Sequence, residues 1–176
     1  MGYIRESGAI PILINNLAAA SPVPNANDIA IIANSALAIS SLARNEMNQN
    51  DLLKANAIDT LVKLLSFENA DVKRNSLLAL GHLSANSAKI RAKIRSIDGI
   101  RVILGCLQNA IVSGKDALLI ANAVLCVSSL SEDAADRVEL TKLGGIQLLV
   151  SSLKHSDCNV LAVTGMALAR CLQDGK

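Results

Sequence analysis

Residues 8–17 read Gly8-Ala9-Ile10-Pro11-Ile12-Leu13-Ile14-Asn15-Asn16-Leu17, and the opening of this stretch returns three times along the chain. The returns are Asn56-Ala57-Ile58, Asp98-Gly99-Ile100 and Gly144-Gly145-Ile146, at intervals of 48, 42 and 46 residues. Three residues after each Ile stand Leu13, Leu61, Ile103 and Leu149, and four further on stand Leu17, Leu65, Leu107 and Leu153. Apolar residues spaced by three and four share one face of a helix. A helical pattern that returns at this period marks a stack of repeats, none of which can bury its apolar face alone.

The second half of each unit aligns as closely. Asp28, Asn69, Asp116 and Asp157 share one position, and their side-chain oxygens are predicted to cap a following helix. That helix carries Ala38-Ile39, Ala79-Leu80, Cys126-Val127 and Ala167-Leu168, followed by Leu42, Leu83, Leu130 and Cys171. A short polar helix precedes each junction, at Asn48–Ala55, Ser87–Ile97 and Ala134–Leu143, with Tyr3–Ser7 as the tail of a fourth. Glycine at three of the four junctions permits the turn between short and long helices.

This pattern resembles the armadillo repeat family over essentially the whole chain. Gly8-Ala9-Ile10-Pro11 is similar to the family's helix start, and Asn75-Ser76-Leu77-Leu78-Ala79-Leu80-Gly81-His82-Leu83 to its third helix. HEAT repeats are the competing resemblance, through Asp71-Val72-Lys73-Arg74. The armadillo resemblance implies an all-α, right-handed α-solenoid of about four three-helix repeats. These lie near residues 8–56, 57–98, 99–143 and 144–176, with 1–7 as the tail of a preceding helix. Terminal repeats ordinarily carry polar outer faces. Leu168 and Leu172 would lack a following repeat, so the expectation is a piece of a longer solenoid or end-to-end self-association.

The same resemblance implies that the third helices line a concave groove that binds a protein or peptide partner. The candidate groove residues are Asn34, Leu37 and Ser41; Asn75, Leu78 and His82; Asn122, Leu125 and Ser129; and Arg170. Val163 and Met166 complete the fourth row. Asparagine amides can bond a peptide backbone with little sequence preference. The same three asparagines, expected in the first turns of their helices, can instead bond between neighbouring repeats. The family's downstream asparagine position holds Ser41, His82, Ser129 and Arg170, and its import-receptor tryptophan position holds Leu37, Leu78, Leu125 and Met166. Without tryptophan there is no aromatic slot for a lysine stem, which argues against a receptor for nuclear-localisation signals.

Two insertions, Ala18–Asn27 and Asn109–Lys115, are expected as loops between second and third helices, marked by Pro22, Pro24 and Gly114. Lys89, Arg91, Lys93 and Arg95 read as the solvated basic face of a short helix backed by Ile90, Ile94 and Ile97. Asp133, Asp136 and Glu139 read as an acidic surface patch, and His155 as a solvated loop residue.

Composition supports the all-α reading and limits function. Hydrophobic residues make up 51% of 176, yet aromatics are only Tyr3 and Phe67, unlike a β-sandwich. A net charge of +2 argues against a nucleic-acid domain. The apolar windows Ile29–Ala43 and Ala117–Leu130 are interrupted by Asn34 and Asn122 and are too short to span a membrane. Cys106, Cys126, Cys158 and Cys171 lie 20, 32 and 13 residues apart, without metal-site spacing. They read as core thiols in a reducing compartment, the cytoplasm with the nucleus as the other candidate. No phosphate loop, nucleophile elbow or metal cluster is present, so neither catalysis nor a cofactor is expected.

The functional expectation is a scaffold or adaptor holding a partner segment in the groove. Two alternatives are a regulator clamping a folded partner such as a small GTPase, and an architectural segment of a filament-associated or axonemal array.

Overall fold

A computed structural model describes residues 8–18 and 24–173, which form eleven helices and no strand. They are α1 (Ala9–Ala18), α2 (Ala26–Leu42), α3 (Glu46–Lys54), α4 (Ala57–Leu64), α5 (Ala70–Ala85), α6 (Ala88–Ser96), α7 (Gly99–Ser113), α8 (Ala117–Leu130), α9 (Ala134–Lys142), α10 (Gly145–Ser152) and α11 (Cys158–Cys171). From α3 onward they run short, second, third in three successive units, and α1 and α2 supply the second and third helices of the first. Tyr3–Ser7 and residues 19–23 of the first insertion lie outside the described residues.

The third helices α2, α5, α8 and α11 pack one upon the next, and the second helices stack behind them. The aligned positions form one continuous core. Leu61, Ile103 and Leu149 are fully buried in one row of the second helices, with Leu13 half-buried in the first unit, and Ile39, Leu80 and Val127 are fully buried on the third helices. At the crossing of α5 and α8, a Cβ on Gly81 would lie 3.5 Å from Leu125 Cγ, in ordinary van der Waals contact, so the two helices pack closely here with room for an alanine.

The junction between short and second helix is built twice over. Gly8, Asn56, Asp98 and Gly144 all adopt left-handed backbone, at φ 68°, 58°, 56° and 77°. The turn in the third repeat is therefore made by Asp98 and not by Gly99. Gly99 instead permits close packing, since a Cβ there would meet both the side chain and the carbonyl oxygen of Ile94 at 2.8 Å.

Three local expectations change. Asn69, Asp116 and Asp157 cap their helices as expected, but α2 begins earlier, at Asn25, with Asp28 as the reciprocal member of a capping box. Asn34, Asn75 and Asn122 lie nine, six and six residues past their N-caps, beyond the first turn in which they were expected. The segment Asn109–Lys115 is mostly helix: α7 has 15 residues where α4 and α10 have 8. Ala110 and Ile111 extend the apolar stripe of Ile103 and Leu107, and Gly114, at φ 61°, ends the helix.

The basic run is the third. Arg91 is buried, and its guanidinium grips Asp133 through Nε and Nη2 at 2.9 and 3.0 Å. Its Nη1 donates to Glu132 at 2.9 Å and to the Ser84 carbonyl at 2.8 Å. Lys93 pairs with Asp59 at 2.8 Å, and Arg95 pairs with the fully buried Asp136. Three of the four expected basic-face residues are thus tied to neighbouring repeats while Lys89 stays exposed, and Asp133 and Asp136 of the supposed acidic patch are their counterparts. A helix with repeats on both sides has little free circumference, which a single-helix reading cannot see.

Candidate partner-binding face

The face presented by the third helices is set by register. Counting from Asp28, Asn69, Asp116 and Asp157, rows lie six, nine and thirteen residues on. The structure gives these rows different roles.

In the upper row, Asn75 Nδ2 donates to the Ala33 carbonyl at 2.8 Å and Asn122 Nδ2 to the Arg74 carbonyl at 3.0 Å. These are the same bond, repeated one unit along. Each is worth about 1 kcal/mol net and fixes the register of adjacent third helices. Asn122 is buried and Asn75 half-buried. Asn34 is exposed, with no side-chain hydrogen bond among the described residues. It borders two clefts. One, of about 350 Å³, is lined by Ala30, Ala33, Asp71 and Asn75; the other, of about 560 Å³, by Leu13, Asn16, Asn27 and Ile31. Val163 ends the row without an amide.

The lower row also bonds backwards. His82 Nδ1 lies 3.0 Å from both the carbonyl oxygen and the hydroxyl of Ser40. The carbonyl can only accept, so Nδ1 carries the proton. Arg170 Nη1 donates to the carbonyl and hydroxyl of Ser128, both at 3.3 Å, and pairs with Glu132 at 3.5 Å. The lone groove cation expected from the sequence is therefore a held one. Ser129 is buried, 2% exposed, which removes it from the accessible face. Ser41 is exposed but bonds its own helix at the Leu37 carbonyl.

The middle row stays open. Leu37 is 44% and Met166 53% exposed, with Leu78 and Leu125 half-buried between them. Four flexible apolar side chains thus stand in line across four repeats, and beside the middle two the Asn75 and Asn122 amides are already spent on the scaffold. Arg74 adds a charged lip that was not foreseen from the sequence. It pairs with Asp71 and, at 3.2 Å, with Asp116 of the next repeat, and the Asp71 bond above all raises its pKa. Aligning charges by the repeat interval, and not along one helix, would have exposed this pair.

Other titratable groups are structural. Hydrogen bonding to Arg91 holds Asp133 below the usual carboxylate range, whereas burial pushes Asp136 up against the opposing pull of Arg95. Burial pushes the Cys126 thiol up to about 12. Cys106 is buried as expected, but Cys158 is exposed at the first turn of α11. His155 is half-buried, its Nδ1 accepting from the Asp157 amide at 3.0 Å. Among the described residues there is no group of three or more His, Cys, Asp or Glu that could hold a metal, and no helix is long and apolar enough to cross a membrane.

Three-helix units, left-handed junctions and stacked third helices define an armadillo-type α-solenoid. The Armadillo/beta-catenin-like repeat model matches residues 45–85, which is α3 to α5, one whole unit in the order short, second, third. Human Armadillo repeat-containing protein 3 is 27% identical over 153 residues, covering 85% of this chain, which spans 17% of that protein's length. A designed armadillo repeat protein in complex with the peptide (KR)4 superposes with a TM-score of 0.81 at 19% identity, over 96% of this chain and 66% of that one. A chain from work on the phosphorylation switch between cadherin and beta-catenin also gives 0.81, at 18% identity, over 96% and 30%.

Proposed function

We propose that the chain is a protein-interaction scaffold whose third-helix face holds a segment of a partner protein through apolar side chains. The observation that carries this reading is the open row of Leu37, Leu78, Leu125 and Met166, aligned across all four repeats. The fold-neighbour holding (KR)4 and the cadherin–beta-catenin system lend support by showing what armadillo chains do elsewhere. A strongly basic ligand does not suit this face. Asp71 and Asp116 are taken by Arg74, no tryptophan is present, and the row itself is uncharged. An apolar segment matches it better.

The function is binding, with no catalytic step, and the free thiols suit a reducing compartment such as the cytoplasm. The test places a photo-cross-linking residue at Leu78 or at Val112, which is 81% exposed near the end of α7. A groove partner cross-links from Leu78, not from Val112, and is lost in a folded Leu37→Glu/Met166→Glu variant. Cross-linking from Val112 alone would replace this reading with an edge clamp for a folded domain.

A further inference from the structure

Two partner conformations match the spacing of the open row. Adjacent third helices pack about 8–10 Å apart, so Leu37, Leu78, Leu125 and Met166 ask for apolar contacts at about that interval. An extended segment rises about 3.3 Å per residue and meets the row with every third residue. An α-helix rises about 1.5 Å per residue and meets it with every seventh, which returns to nearly the same helix face. Spacing alone leaves the conformation open, and hydrogen bonding decides it.

An extended segment carries amide and carbonyl groups along both edges, and those turned inward need partners on the protein. This face supplies few. In the upper row the Asn75 and Asn122 amides donate to the Ala33 and Arg74 carbonyls, and Asn122 is buried. In the lower row His82 Nδ1 is held by Ser40, Arg170 by Ser128 and Glu132, and Ser129 is buried. Asn34, the upper-row amide without a side-chain bond among the described residues, stands at one end of the row.

A helix satisfies its own backbone and asks only for an apolar track. The track is widest at the third repeat, where Leu118, 57% exposed, lies seven residues before Leu125 on the same face of α8. Partly exposed ion pairs bound it on both sides, Arg74 with Asp71 above and Arg170 with Glu132 below. Such a rim complements the charged flanks of an amphipathic helix.

We propose that the partner segment enters this face as an amphipathic α-helix of about 22 residues, its large apolar side chains seven apart and seated on Leu37, Leu78, Leu125 and Met166. This rests on the third-helix reading above and adds the partner's conformation and residue pattern.

The experiment selects two phage-displayed peptide libraries in parallel on the 176-residue chain. One presents Ala-, Glu- and Lys-rich sequences with Leu, Ile, Met or Phe at every seventh position. The other presents Ser- and Thr-rich sequences with the same apolar set at every third. Selected peptides are resynthesised with fluorescein and titrated by anisotropy. Binders are expected from the first library. Proline at a central position between two apolar contacts should weaken them tenfold or more, because it breaks the helix without removing a contact. A Leu37→Glu/Met166→Glu variant, shown to be folded by circular dichroism, should weaken them by at least as much. Binders from the second library alone, or binding that survives the proline, would overturn the helical assignment; their loss in Leu37→Glu/Met166→Glu would leave the third-helix reading standing. Binders indifferent to Leu37→Glu/Met166→Glu, or none from either library, would remove both.

Discussion

Replacing Arg91 by Met tests how the stack is held together. The Arg91 side chain is 8% exposed and makes a two-pronged bond to Asp133, one bond to Glu132 and one to the Ser84 carbonyl. Hydrogen bonds to charged groups contribute roughly 1.5–3 kcal/mol each when buried. Asp133 and Glu132, however, are 30% and 36% exposed and regain water when the cation leaves. Counting the carboxylate bonds at a fraction of that value and the stranded Ser84 carbonyl at about 1 kcal/mol gives a loss of about 3 kcal/mol, within the range for a broken buried pair. The Met stem retains some packing. Exposed Lys89→Met on the same helix should cost less than about 0.5 kcal/mol. Urea unfolding followed by circular dichroism measures both. The pH dependence adds a second check. Arg91 depresses the pKa of Asp133, so the stability they share is present above Asp133's ordinary value and drains away as pH falls through the lowered one. The difference between wild type and Arg91→Met should therefore narrow in acid. Asp136 works in the opposite sense: its pKa is raised, so its contribution is present below its ordinary value and lost as pH rises through the raised one. A cost for Arg91→Met no greater than for Lys89→Met, or a gap that stays constant down to about pH 3, would refute the reasoning.

Other outcomes follow from the same geometry. Asn122→Ala should cost about 1–2 kcal/mol in urea unfolding by stranding the Arg74 carbonyl, whereas Asn34→Ala should cost close to nothing and act only on partner binding. Gly99→Ala should destabilise by about 2 kcal/mol because Ile94 stands 2.8 Å from the new Cβ; Asp98→Gly should instead raise the thermal midpoint by relieving left-handed backbone worth up to about 1 kcal/mol. A thiol reagent at pH 8 should modify Cys158 quickly and Cys126, buried with its pKa at about 12, only on unfolding.

The sequence by itself determined the repeat. Apolar spacing along one helix depends only on which residues share a face, and this located the third-helix caps at Asn69, Asp116 and Asp157. It also aligned Leu37, Leu78, Leu125 and Met166 in one row. Tertiary structure decided which of the aligned polar groups remain available. Asn75 and Asn122 look identical to Asn34 in sequence, but only a preceding third helix supplies the carbonyl that takes up their amides. Arg91, Arg95 and Asp136 read as solvated charges because the helix that buries each of them comes from a different repeat, some forty residues away. Helix register is local and therefore legible in the chain, whereas solvent access belongs to the stack and is set by what lies on either side.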